Sequence, residues 1–258
     1  MLKKKNRIIF IFITFTILLL SACSSESGQS SDFFNHYFVG PFTSLIIWTA
    51  HLFHDNYGIG IILVTLLIRF ALFPFMLKQY KTQSTMKVKM DSLKPEMEQI
   101  QKKLKQTKDP KEQQNLQREL MGLYQKHGVN PLNMGCLPLL IQMPILMAFY
   151  QAIRNSHEIA THSFLWFNLG QPDLWLTLLA GIVYFVQFKI SQTNLPSAQQ
   201  EQMKFMGLLS PIMIMVVSFN APAALPLYWV VGGLFIIFQT YIGRKMYSIP
   251  ESKALIKL

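Results

Sequence analysis

Residues 57–78 read YGIGIILVTLLIRFALFPFMLK. Arg69 is the only charged residue in this stretch before Lys78, and about 20 predominantly apolar residues suffice to cross a bilayer as a helix. Four more stretches of this kind follow, at 135–153, 174–190, 206–220 and 223–243, the last two separated by a short Ala221-Pro222 turn. The chain therefore reads as an all-α membrane protein with five transmembrane helices. Its composition agrees: 51% of the 258 residues are hydrophobic and 14% are charged, against about 25% charged in ordinary soluble domains. A shorter apolar segment, 41–53, precedes the first span, with Pro41 suited to a first helical position. It reads as an amphipathic helix lying on the outer membrane face.

The N-terminus reads as a targeting segment. Lys3, Lys4, Lys5 and Arg7 precede an apolar stretch, 8–20, that is short for a span. Leu20-Ser21-Ala22-Cys23 closes it and resembles a bacterial lipobox. In lipoproteins of that kind the cysteine is acylated and becomes the first residue of the mature chain. Residues 24–31, SSESGQSS, then read as a flexible tether. An uncleaved helix with an incidental Cys23 is the competing reading. With Cys23 and Cys136 the sole cysteines, no disulfide framework is expected.

Basic residues set the expected orientation. Lysines and arginines from Lys78 to Lys126, then Lys189, Lys204, Arg244, Lys245, Lys253 and Lys257, all fall on one side if the N-terminus is outside. Beyond Cys23 the opposite side carries only Arg154. The net charge of +11 is then mostly a cytoplasmic-face charge. It suits anionic lipid or a ribosome and gives no reason to propose DNA binding. The organisation expected is a signal peptide at 1–22, a lipid-anchored tether and outer helix at 23–56, a five-span core at 57–243 with a cytoplasmic hairpin at 79–134 inserted, and a short basic tail at 244–258.

The hairpin follows from spacing. Met86, Met90, Leu93, Met97, Ile100 and Leu104 recur in steps of four and three, a coiled-coil seam. Thr107-Lys108-Asp109-Pro110 breaks it, and Leu116, Leu120 and Leu123 repeat the spacing on a second helix. Gly128, with Pro131 beyond it, reads as the stop. Pro95 either kinks the first helix or restarts it with Asp91 or Ser92 as cap. The element is a docking site or a solvated connector.

Arg69 is the most informative position. It lies about 13 Å along the helix from Lys78 at 1.5 Å per residue, deeper than snorkelling recovers. An arginine near the centre of a span costs roughly 2.5–3.5 kcal/mol on insertion scales. None of the five stretches contains Asp or Glu; Asp173 stands only at the edge of the third. Water is the simplest remaining partner, so Arg69 is expected to line a hydrated cavity. Thr65, Gln142, Gln187, Ser210, Ser218 and Gln239 could share that cavity or simply join helices by hydrogen bonds. Tyr228 and Trp229 fit interfacial aromatics. Met203, Met206, Met213 and Met215 cluster around the fourth span, as an adaptable apolar surface or as plain packing. No hydrolase, metalloprotease or nucleotide-binding motif is present, the histidines fall outside the spans, and no metal or cofactor site is expected.

These residues resemble a known family. Arg69-Phe70-Ala71-Leu72-Phe73-Pro74 in the first span, NPLNMGCLPLLIQMPILMAFY at 130–150 and Pro226-Leu227-Tyr228-Trp229-Val230 opening the last span are similar to the YidC/Oxa/Alb insertases. The lipobox resembles the Gram-positive branch. The resemblance implies five helices around a hydrophilic groove, open to cytosol and lipid and closed outside. It maps the groove arginine onto Arg69 and other groove positions onto Gln142, Gln187 and Trp229, with Thr65 one turn from Arg69. It implies a non-enzymatic insertase and chaperone for nascent membrane-protein clients and lipoproteins. Membrane lipid, the Sec translocon, the ribosome and the signal recognition particle pathway, met through the hairpin, are the implied partners. The tail after Arg244-Lys245 is too short to suggest strong ribosome binding by itself. A small channel or transporter with Arg69 as an ion relay, and an assembly factor that docks partners on the hairpin, are the alternatives. A transporter usually shows internal repeats and broken helices, and no convincing repeat is found.

Overall fold

The computed structural model describes residues 34–129, 136–193 and 197–247, and their side chains outside 136–140 and 197–206. The signal peptide, Cys23, the tether, residues 130–135 and the tail beyond Tyr247 lie outside these residues, as do the side chains of Met203 and Met206.

A π-helical turn, Asn35–Val39, runs into α1 (Gly40–His51). Ile46, Thr49 and Ala50 bury the inner side of α1, which packs on α2 (Tyr57–Ser92) and α5 (Cys136–Asn155). The expected amphipathic pattern is corrected here. Tyr37, Trp48, Leu52 and Phe53 are exposed, so apolar groups run round most of the segment. A helix apolar on both sides suits protein on one face and lipid on the other.

Asn56 caps α2 by accepting from the Ile59 N–H (3.0 Å). The helix does not stop where its apolar run stops, at Leu77; it continues to Ser92. A change from apolar to polar side chains leaves the backbone hydrogen-bond ladder intact, and the lysines, glutamines and methionines that follow are good helix formers. Pro74 inside α2 offers no N–H to the Phe70 carbonyl four residues earlier.

The Pro95 alternatives resolve to a restart. α3 (Lys94–Gln106) begins with Pro95 in its first turn, where the missing N–H is harmless. Its cap residue is Leu93, without a side-chain cap, rather than Asp91 or Ser92. The Ser92 hydroxyl turns back to the Lys89 carbonyl (2.7 Å). Asp109 opens α4 (Pro110–Lys126) by accepting from the Lys111 N–H (3.0 Å). Gly128 closes it at φ +62°, a left-handed conformation that glycine adopts without strain. Its N–H donates to Gln125 O (3.1 Å) and that of Val129 to Tyr124 O (2.8 Å), the paired bonds of a Schellman stop. Val129 then joins Met86, Met90, Leu93 and Met97 in a separate small core, against which Leu120, Leu123 and Tyr124 pack. Full burial of one such side chain contributes about 1.5–3 kcal/mol. The same burial pushes the Tyr124 phenol up from its ordinary value.

After α5 come α6 (His157–Thr161) and a two-stranded antiparallel hairpin, β1 (Ser163–Phe164) and β2 (Phe167–Asn168), with Phe164 opposite Phe167. Asp173 then caps α7 (Leu174–Gln192) by accepting from the Leu176 N–H (2.7 Å). α8 (Ser197–Ser218) carries Pro211 in its interior, and α9 (Ala224–Tyr247) follows the short turn. Among the described residues, α2, α7 and α9 are long and apolar enough to cross a membrane, and 207–218 forms a shorter apolar helix.

α9 is central. It packs on α2 and on α7; α7 packs on α8, α2 on α1, and α1 on α5. α5 and α8 stand at the two ends of this series, each touching α9 only lightly. Among the described residues, side chains of both line a cavity that leaves a gap between them.

Candidate functional site

α2 and α9 run parallel in one register. Arg69 meets Gly232, Tyr80 meets Gly243, and the Ser84 hydroxyl donates to Tyr247 O (2.9 Å). All three pairs share a separation of 163 residues. Phe235 fills the space between, edge-on to Phe70 (4.9 Å) and Phe73 (6.0 Å). This register brings Arg69, only 8% exposed, against the α9 backbone halfway along the bundle. Tyr184 of α7 lies within electrostatic reach of the guanidinium. Among the described residues no carboxylate pairs with Arg69. Asp173, the nearest acid along the spans, is engaged at the start of α7.

The other four expected groove residues do not share one site. Thr65 is fully buried and donates to Ile61 O of its own helix (2.7 Å), so it belongs to the core. Gln142 of α5 donates from Nε2 to the Tyr228 hydroxyl of α9 (2.6 Å), and Tyr228 in turn lies on Phe149 (4.6 Å between rings). Gln187 of α7 holds a buried Oε1 without a hydrogen-bond partner among the described residues, as do Gln79 Oε1 and Ser218 Oγ. Trp229 lines a cavity of about 440 Å³ with Leu146 and Tyr150 of α5 and Val216 and Val217 of α8. The interfacial reading of the aromatic pair is corrected: Tyr228 and Trp229 are 2% and 5% exposed. Their place early in the last span does not put them at a surface, because α5 and the turn before α9 cover them. Gly232 and Tyr184 carried no signal in the sequence, since which spans face each other cannot be read from one chain.

The two ends of the bundle differ. Where α2, α7 and α9 begin, the cap is closed. Tyr57 donates to Glu158 Oε2 (3.0 Å) and its ring meets His162 edge-on (5.2 Å). The N–H groups of Ala223 and Ala224 donate to Gln171 O (2.9 Å) and Leu169 O (3.0 Å). Ile159, Phe167 and Leu169 are buried beneath. At the opposite end, which carries α3 and α4, cations tie the helix ends. Arg244 donates to Ile190 O and Thr193 Oγ1, and Lys87 Nζ to Thr193 O (2.7 Å). Cations suit the carbonyl end of a helix dipole. Between these ends, Leu209, Ile212, Met213, Val216 and Val217 leave an exposed apolar face on α8.

Comparison with known proteins gives consistent matches. The family model described as 60Kd inner membrane protein matches residues 48–251. The membrane protein insertase YidC 2 of Listeria monocytogenes is 50% identical over 257 residues, 98% of this chain and 94% of that protein. The membrane protein insertase MisCB of Bacillus subtilis is 45% identical over 99% of this chain and 98% of its own length. A crystal structure of an active YidC insertase superposes with a TM-score of 0.58 at 29% identity, covering 80% of this chain. The chain spans about half, 46%, of that solved protein.

Proposed function

The chain belongs to the 60Kd inner membrane protein family, it is a bacterial membrane protein insertase like the relatives that share its length, and on that premise we propose that Arg69 and the gap between α5 and α8 receive the client. In this reading α2, α5, α7, α8 and α9 are five spans. The closed cap faces outside, and the end carrying α3 and α4 faces the cytosol. A client's polar tail enters from that end toward Arg69, while its apolar segment leans on the exposed side of α8 and passes between α8 and α5 into lipid. The observation that carries this is Arg69 itself. It is a buried cation without a carboxylate partner among the described residues, seated on the same helix, α9, whose Trp229 lines the cavity between α5 and α8. The unpartnered amide oxygens of Gln79 and Gln187 support a hydrated path toward the cytosolic end. Without a catalytic constellation in its sequence, the chain acts by lowering the barrier to transfer, not by covalent chemistry. A channel or transporter reading, with Arg69 as relay, is not favoured, because relatives matched along almost their whole length are insertases.

Purified protein in liposomes tests the function. It should integrate a small phage-coat-like client without ATP, at several times the rate of empty liposomes. Equal rates with and without the protein would refute autonomous insertion. The Sec translocon, the ribosome and the signal recognition particle pathway are proposed as further partners, met through α3 and α4.

Lipid anchoring through Cys23 is a further proposal, resting on the lipobox and on the basic residues that favour an outside N-terminus and a cytoplasmic C-terminus. Cys23→Ala should leave an unprocessed precursor, about two kilodaltons heavier, from the retained 1–22 segment. A normal-sized mature protein from that variant would remove the anchor. Insertion should persist in part, since the proposed client path rests on Arg69, α5 and α8.

A further inference from the structure

Gly232 stands where a helix would ordinarily carry a side chain, and its vacancy is filled by a charge. A Cβ at this position would lie 2.8 Å from Arg69 Nη2, 3.3 Å from Nε and 3.4 Å from Cζ. Glycine inside a helix weakens it, so a reason for it is sought in what approaches. The neighbouring Gly233 answers to different atoms: a Cβ there would meet Val183 Cγ1 at 2.6 Å and the Tyr184 ring at 3.3 Å. The two adjacent glycines thus admit two different helices, α2 through Arg69 and α7 through its packing face. Three turns further on, Gly243 admits Tyr80 in the same α2–α9 register.

We propose that Gly232 is the positioning residue for Arg69, letting the guanidinium lie flat on the α9 backbone so that its charge faces the client path at one height. The inference rests on the reading that Arg69 receives the client's polar tail. The clash is with the far end of a flexible side chain, so a methyl group at 232 moves the guanidinium before it moves the helices. A lysine at 69 would end short of the Nη2 position and would tolerate that methyl group.

The test is a double-mutant cycle in the full-length protein, reconstituted in liposomes. Gly232→Ala and Gly233→Ala are each made in wild-type and Arg69→Lys backgrounds. The clients are a matched pair whose translocated tails carry Asp or Asn. Gly232→Ala should slow the acidic-tailed client about tenfold, less than the roughly hundredfold that a full ångström of misplacement can cost, and the amide-tailed client much less. In the Arg69→Lys background its additional effect should fall below about twofold, because coupled sites are not additive. Gly233→Ala should slow both clients alike in both backgrounds. Equal slowing of both clients by Gly232→Ala in both backgrounds would overturn the proposal, leaving Gly232 a packing residue.

Thermal unfolding of the same proteins reads the contact without a client. Gly232→Ala should lower Tm more beside arginine than in the Arg69→Lys background, and equal shifts count against the proposal. If Gly232→Ala accumulates only in the Arg69→Lys background, the guanidinium contact is upheld; failure in both backgrounds overturns it. An Arg69→Ala protein that inserts the acidic-tailed client at the wild-type rate defeats the groove reading instead, while the unfolding cycle still decides the contact.

Discussion

Arg69→Ala should abolish most insertion of clients whose translocated tails carry Asp or Glu, and Arg69→Lys should retain most of it. The guanidinium is buried, and no carboxylate pairs with it among the described residues. Its field therefore remains available to an arriving acid. In a low-dielectric wall such a field is several times stronger than in water. A charge-assisted hydrogen bond contributes about 1.5–3 kcal/mol, which as a rate factor is roughly ten- to a hundredfold. The attraction must also be transient, because a tail that remained paired would stall in the groove. Clients with basic tails should be disfavoured, in keeping with the positive-inside rule. Two roles are separable: charge pairing, and keeping the groove wet. Restoration of Arg69→Ala by a polar substitution elsewhere on the groove would favour hydration. Thr65 is unsuited to report on this, being fully buried. A cysteine replacing Gln187 or Gln142 is the better probe. Wild-type insertion of acidic-tailed clients by Arg69→Ala, or no aqueous labelling at either cysteine, would defeat this account.

Arg69 could be singled out because a charge in an apolar run needs no tertiary information to be anomalous. The α3–α4 seam was legible for a similar reason: four-and-three spacing, Asp109 and Gly128 are local signals, and each acts locally in the structure. What failed to show was whatever depends on a partner. The continuation of α2 past Leu77 was hidden because a polarity change marks where lipid ends, not where hydrogen bonding ends. The hairpin at Ser163–Asn168 was missed because its turn, Leu165-Trp166, has none of the Asn-Gly chemistry of two-residue turns. Leu165 nonetheless takes φ +55°. The burial of Trp229 requires knowing that α5 and α8 meet at α9, and the seat of Arg69 on Gly232 requires knowing that α2 lies along α9; no periodicity encodes either.

Removal of the α3–α4 element should impair client delivery while leaving the spans in the membrane. The obvious deletion, 91–128, is the wrong one. Met86 and Met90 belong to α2 yet are 6% and 2% exposed only because α3, α4 and Val129 cover them. Cutting at 91 would bare two methionines at the membrane's edge, and aggregation would imitate loss of function. The better variant replaces 86–129 with a short Gly/Ser linker. It also loses the Lys87–Thr193 tie, but Arg244 still caps the end of α7. Insertion by purified protein in liposomes should then fall little, because Arg69, Gly232 and the α5–α8 gap are untouched. Insertion during synthesis in cells should fall about tenfold, the scale on which electrostatic capture raises encounter rates. Glu in place of Lys102, Lys103 and Lys105 should reproduce much of the cellular loss without altering the fold, since all three side chains are exposed. Their effect should weaken as salt screens the surface. Full growth and full insertion with 86–129 removed would make the element a passive connector, and the charge reversals should then be silent as well.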